Sequence, residues 1–159
     1  MQEQLLVVED DVVLQLSLMA MLRREAFGVL AAGSLAEARV QLMREQPTVV
    51  LLDLSLPDGS GFELLEPRSA EQDGPLVIVS TASDALATAV EALRLGAFDY
   101  LTKPINNDLL GAAVRRALEC HGLRESAREV ERLRAHEEAM RATARAAAHH
   151  ISQHLTVIM

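Results

Sequence analysis

Five short apolar runs punctuate the first 120 residues: "LLVVED", "FGVLA", "TVVLLD", "PLVIVS" and "FDYLT". Each is rich in Val, Leu or aromatic residues and ends on polar or turn residues, the signature of a strand. The runs are continuous rather than alternating, so both faces of the sheet are buried and helices must cover each side. Between them lie segments with helical spacing, such as Leu35, Ala38 and Leu42, or the stretch from Ala85 to Leu95 that ends at Gly96. The pattern predicts an α/β fold built on a parallel sheet, whose working residues gather at the carboxyl ends of the strands.

From Leu123 onward the pattern changes. There is no strand signal and neither Gly nor Pro, only a sustained helical composition. With Leu123 at heptad position a, the a residues are Leu123, Val130, Glu137, Ala144, Ile151 and Ile158, and the d residues are Ser126, Leu133, Met140, Ala147 and His154. Eight of these eleven are apolar, which predicts a helix that pairs with another helix, as a coiled-coil extension. The competing reading is an amphipathic helix folded back on its own domain. The expected division is therefore a domain over 1–120 and a helical linker over 121–159, dimeric through the latter.

Charge follows the same division. Residues 1–120 carry 9 basic and 18 acidic side chains, net −9, whereas 121–159 carry 6 and 5, net +1. So acidic a body repels phosphate backbones, and no nucleic acid is expected as a direct partner. No apolar run approaches the roughly 20 residues needed to span a bilayer, so no membrane association is expected. The opening "MQEQLLVVEDD" lacks a secretory pattern, and the single cysteine, Cys120, cannot form an internal disulfide; both suggest a cytoplasmic protein.

Each strand end carries useful chemistry. The first run leads into Glu9, Asp10 and Asp11, the third ends on Asp53, the fourth on Ser80 and Thr81, and the fifth leads to Lys103 and Pro104. Each has a bland explanation: Asp11 or Thr81 as a helix cap, Asp53 as the opening of the turn "LPDG", Lys103 as a solvated charge. Four coincidences on one sheet edge favour a joint function. Clustered carboxylates repel one another unless a cation sits between them, and all-oxygen ligands suit a hard ion such as Mg²⁺. With that ion and an ammonium nearby, a carboxylate can attack a phosphoryl group, and Asp53 is the natural nucleophile. A hydroxyl from Thr81 could then bond the new phosphoryl oxygens and draw its loop inward.

In their order and spacing, "LLVVEDD", "VVLLDLSLPDGSG", "VIVSTAS" and "GAFDYLTKPI" resemble the receiver domain of two-component response regulators over about residues 3–119. The resemblance implies a doubly wound, flavodoxin-like five-stranded parallel sheet of strand order 2-1-3-4-5. It implies Asp53 as the phosphorylated aspartate, with Mg²⁺ held by Asp10 directly, Glu9 through water, Asp53, and the backbone carbonyl of Ser55. Thr81 matches the switch hydroxyl, followed by the small Ala82; Tyr100 matches the aromatic switch residue, and Lys103 the phosphate-contacting lysine. The bond from Lys103 to Pro104 is usually cis in that family. One departure concerns the third helix, which Pro67 and the polar "RSAEQDG" should cut short.

The closing "HHISQHLTVIM" carries three of the five histidines, all of which lie in the last 39 residues. "AHHISQHLTVI" resembles the phosphoacceptor box of histidine kinases, placing the phosphorylatable histidine at His149 and keeping Leu155, Thr156, Val157 and Ile158. His149 falls at heptad position f, outside the seam, where a phosphoacceptor must point. Here His150 replaces the expected acidic neighbour, and Ser152 and Gln153 replace two asparagines. A histidine cluster is the other reading, but at i, i+4 only His150 and His154 share a face, so the three could hold a metal only loosely.

Together these resemblances imply a phosphorelay module. A histidine kinase or histidine phosphotransfer protein would supply the phosphoryl group to Asp53, and a truncated histidine kinase bearing His149 would be the output. No segment resembles a nucleotide-binding module, so this chain alone is not expected to use ATP. The alternative is a stand-alone receiver whose helical tail only dimerises or docks on a partner. A Mg²⁺-dependent phosphatase fits less well, because Ser55 stands where such enzymes need a second acid, and no basic recognition helix of a DNA-binding regulator follows residue 120.

Overall fold

The computed structural model describes residues 2–65, 74–82 and 85–158. In chain order the elements are β1 (Gln4–Val8), α1 (Val12–Arg24), β2 (Gly28–Ala32), α2 (Leu35–Glu45), β3 (Val49–Asp53), β4 (Ser55–Leu56), β5 (Gly59–Ser60), a 3₁₀ turn (Gly61–Leu64), β6 (Leu76–Thr81), α3 (Leu86–Arg94), β7 (Asp99–Thr102) and α4 (Asn107–Ile158). All five apolar runs are strands of one parallel sheet, in the order β2-β1-β3-β6-β7. This is the doubly wound 2-1-3-4-5 arrangement, since β4 and β5 form only a separate two-stranded hairpin.

Alternate residues of the central strands feed two cores. Leu5, Val7, Val49, Leu51, Leu76 and Ile78 pack with Leu18 and Leu22 of α1 and with Leu110, Ala113, Val114 and Ala117 of α4. The intervening Leu6, Val8, Val50, Leu52, Val77 and Val79 pack against Ala38 of α2 and Ala92 of α3. Because successive strand residues face opposite ways, burial on both sides demands the unbroken apolar runs.

The helix ends obey local rules. Asp11 caps α1 by accepting a hydrogen bond from the Leu14 N–H at 3.0 Å, so the bland reading of that residue is correct. Ser34 caps α2 in the same way. Gly96 follows α3 with φ of 102°, the backbone region in which a glycine ends a helix without steric cost. The hairpin β4–β5 went unseen in the sequence because two-residue strands carry no periodicity. Beyond it, only the 3₁₀ turn Gly61–Leu64 stands where the third helix should begin, while Pro67 and the segment 68–73 lie outside the described residues.

Two compact units divide the chain, Met1–His121 and Gly122–Met159. Within the second, the described residues are helical to Ile158, and Leu123, Val130, Leu133, Met140 and Ile151 of the heptad seam are exposed. Its polar faces are laced by the ion pairs Glu125–Arg128, Glu129–Arg132 and Glu137–Arg141, at i, i+3 or i, i+4. No helix among the described residues is long and apolar enough to cross a membrane.

Ile78 is fully buried at the centre of the sheet. Replacing it with Ala should lower the unfolding free energy by about 2–5 kcal/mol, measured by urea titration, because the sheet cannot close around the cavity.

Candidate functional site

Parallel pairing places the carboxyl ends of β1, β3, β6 and β7 along one edge, and the four coincidences of the sequence meet there. β3 ends on Asp53 and β6 on Thr81, while Lys103 follows directly on β7. Asp53, Thr81 and Glu9 are all buried. The Lys103 ammonium lies 2.9 Å from Asp53 Oδ2 and 2.7 Å from Glu9 Oε2, donating a hydrogen bond to each. It is therefore no solvated surface charge. Thr81 is no helix cap either, since the N-cap position of α3 is Ala85.

Backbone hydrogen bonds fix the remaining atoms. The Ser55 N–H donates to Asp53 Oδ1 at 3.0 Å, so Asp53 both opens its turn and belongs to the cluster. The Asp11 N–H donates to Glu9 Oε1 at 3.1 Å. The Lys103 N–H donates to the Thr81 carbonyl at 2.8 Å, joining the ends of β6 and β7. The bond from Lys103 to Pro104 is cis, as the family resemblance implies. Tyr100 sits half-buried on β7, and Ser55 is exposed on β4.

Carboxylate oxygens of Glu9, Asp10 and Asp53 all lie within 4.8 Å of one another. Burial pushes the Glu9 carboxyl above its ordinary range, and the negative charge of Asp53 adds to this against the opposing bonds from Lys103 and Asp11. Burial also opposes the charge on Lys103, but its bonds to Glu9 and Asp53 together outweigh that and hold the ammonium above the usual lysine range. A raised carboxyl pKa means that folding favours the protonated form. The stability Glu9 contributes is thus present at acid pH and lost as pH rises through its folded value. One ammonium faces three carboxyl groups, and an all-oxygen set of this kind fits a hard divalent cation.

Three residues that shape this site escaped the sequence reading. Asp58, in the β4–β5 turn, accepts hydrogen bonds from the Leu35 and Ala36 N–H groups at 2.8 and 3.0 Å. These bonds hold its carboxyl below the usual range and tie the loop after Asp53 to the start of α2. Gln15 donates to the carbonyls of Glu9 and Ala32, joining β1 and β2 just beyond their last pair. Gly61 has no room for a side chain: a Cβ there would lie 2.3 Å from the Asp53 carbonyl oxygen. The "DGSG" string held a signal for Gly61, but only the fold shows which glycine approaches the aspartate.

A buried aspartate held by a lysine, beside two further acids at the carboxyl edge of a doubly wound sheet, is the arrangement of a receiver domain. The response regulator receiver domain family matches residues 5–115, and the chain belongs to that family. The chain is 37% identical over 113 residues to the acid tolerance regulatory protein ActR of Rhizobium meliloti, covering 70% of this chain and 58% of that protein. It is 35% identical over 115 residues to the transcriptional regulatory protein KdpE of Staphylococcus aureus, covering 72% and 49%. The chain thus spans about half the length of these curated relatives. Among solved structures, a CheY-like response regulator receiver domain protein from Methanospirillum hungatei superposes with a TM-score of 0.68 at 30% identity, covering 77% of this chain and 98% of that one. Receiver domains of two-component systems bind Mg²⁺ at an acidic pocket, and here Glu9, Asp10 and Asp53 form one.

Mg²⁺ should raise the melting temperature of the chain at neutral pH by relieving carboxylate repulsion, and Asp53→Asn should both raise the metal-free melting temperature and shrink the Mg²⁺ increment; differential scanning calorimetry reads both. Gly61→Ala should lower the melting temperature, since backbone must move to admit the methyl group, whereas Gly33→Ala, whose Cβ meets only Glu37 Oε2 at 3.6 Å, should change it little.

Proposed function

We propose that Asp53 accepts a phosphoryl group from a phosphohistidine of a histidine kinase or phosphotransfer protein, and that this regulates a helical tail that pairs with a second copy or a partner helix. The observation that carries the reading is the double contact of Lys103 with Asp53 and Glu9 at the carboxyl edge of the sheet. In the transfer, an Asp53 carboxylate oxygen forms a bond to phosphorus while the P–N bond of the donor breaks, and the departing imidazole takes a proton from solvent. Lys103 is placed to shift one hydrogen bond from Asp53 onto a phosphoryl oxygen. Thr81, on the neighbouring strand end, is placed to bond another, and Tyr100 on β7 is the partner aromatic of that switch. Mg²⁺ held by Asp10, Asp53, the Ser55 carbonyl and, through water, Glu9 would neutralise charge on the equatorial oxygens.

The tail supports the stand-alone receiver reading, because its apolar heptad face is exposed while its flanks carry ion pairs. The name of KdpE assigns transcriptional regulation to that protein. In this chain the acidic balance of residues 1–120 argues against direct contact with nucleic acid. A second reading makes His149 a histidine-kinase phosphoacceptor, and its motif, its exposure and its position outside the heptad seam favour that reading.

Treatment with acetyl phosphate and Mg²⁺ should give a single phosphoryl adduct by intact mass, absent in Asp53→Asn and faster to decay or slower to form in Lys103→Met. No adduct on the wild-type chain would overturn the proposal. A purified kinase core with ATP separates the two tail readings: a second, base-stable label lost in His149→Gln supports the phosphoacceptor, and its absence leaves the tail as a pairing helix.

A further inference from the structure

Outside the receiver pocket, the pair of imidazoles near the end of α4 brings two potential metal-ligating nitrogens within hydrogen-bond distance of each other. His150 Nε2 and His154 Nε2 lie 3.1 Å apart, with ring centroids 4.4 Å apart and planes at 81°. Both side chains are exposed, one turn apart on the same helical face. His149 precedes them on a different face and makes no such contact.

We infer that His150 and His154 form a bidentate site for a borderline divalent transition-metal ion, of the class of Zn²⁺, Ni²⁺ and Cu²⁺. Two metal–nitrogen bonds of about 2.05 Å that span the 3.1 Å separation subtend roughly 98° at the metal. That angle lies between the square and tetrahedral values, so the backbone spacing meets either geometry with small turns of two exposed rings. Neutral imidazole suits these ions, whereas the carboxylate pocket around Asp53 suits hard ones. With both ligands on one helix, the second bond forms intramolecularly, and the bound ion staples the turn from His150 to His154. Two positions remain for water or for a second copy: His154 stands at heptad position d, on the seam of a paired tail, and His150 at g beside it. Completion by a second copy rests on the pairing proposed above; the bidentate site does not.

The test is calorimetric titration of the full chain with Zn²⁺ in the presence of excess Mg²⁺, which occupies the acidic pocket. Wild type is compared with His150→Ala, His154→Ala, the double variant and His149→Ala. The expected result is one transition-metal site whose affinity falls roughly 100-fold when either His150 or His154 is lost and is retained in His149→Ala. Cu²⁺ in place of Zn²⁺ should show two or more imidazole nitrogens by electron paramagnetic resonance, and one in each single variant. A stoichiometry of one ion per chain supports the bidentate site, and half an ion per chain supports its completion by a second copy. Equal affinity in wild type and double variant, or equal loss in His149→Ala, overturns the site. Acetyl phosphate labelling of Asp53 should be unaltered in the double variant, so failure of the metal site is distinguishable from failure of the receiver chemistry.

Discussion

The ammonium of Lys103 sits between the carboxylates of Asp53 and Glu9, at 2.9 and 2.7 Å, and both acids are buried. A carboxylate removed from water is stable only beside a compensating charge. Here a single cation compensates two anions, with Asp10 a third within reach. The raised Glu9 pKa comes first from its burial, and the nearby charge of Asp53 adds to it. The acidic cluster of Glu9, Asp10 and Asp53 is a set of oxygen ligands that suits a hard divalent cation.

Everything around that contact serves to hold its members at fixed separation. Glu9, Asp53 and Lys103 come from positions far apart in sequence, and only parallel pairing of β1, β3, β6 and β7 brings their ends to one edge. The pairing depends in turn on the two apolar cores that clamp the sheet from both sides. The loop after Asp53 is held three ways: by the Ser55 N–H on Asp53, by Asp58 on the start of α2, and by the close approach of Gly61 to the Asp53 carbonyl. Thr81 and Lys103 are joined through backbone by the Lys103 N–H to Thr81 carbonyl hydrogen bond.

The tail obeys a different physics. Its helix is supported along its length by local ion pairs, and its apolar residues are exposed rather than committed to a core. An exposed heptad stripe gains stability only when another surface covers it. The receiver domain and the tail therefore differ in composition as well as in packing, with an acidic sheet domain on one side and a nearly neutral helix carrying four of the five histidines on the other.

The chain by itself determined the strands, the fold class and the residues at the strand ends, because burial on both faces writes unbroken runs such as "VVLLD" and leaves the first polar residue after each run at the sheet edge. It also determined the tail's helicity and heptad, which are local periodicities. It left open which bland reading of each acid was correct, since a cap and a ligand look alike in sequence: Asp11 is a cap, while Lys103 proved to be paired rather than solvated. Asp58, Gln15 and Gly61 were decided only by tertiary structure, because their roles rest on partners such as Leu35 and Ala32, or on a neighbouring carbonyl, that only folding places within reach. The convergence of His150 and His154 lies between the two: the i, i+4 spacing is written in the chain, but the 3.1 Å between their nitrogens depends on rotamers that the helix sets.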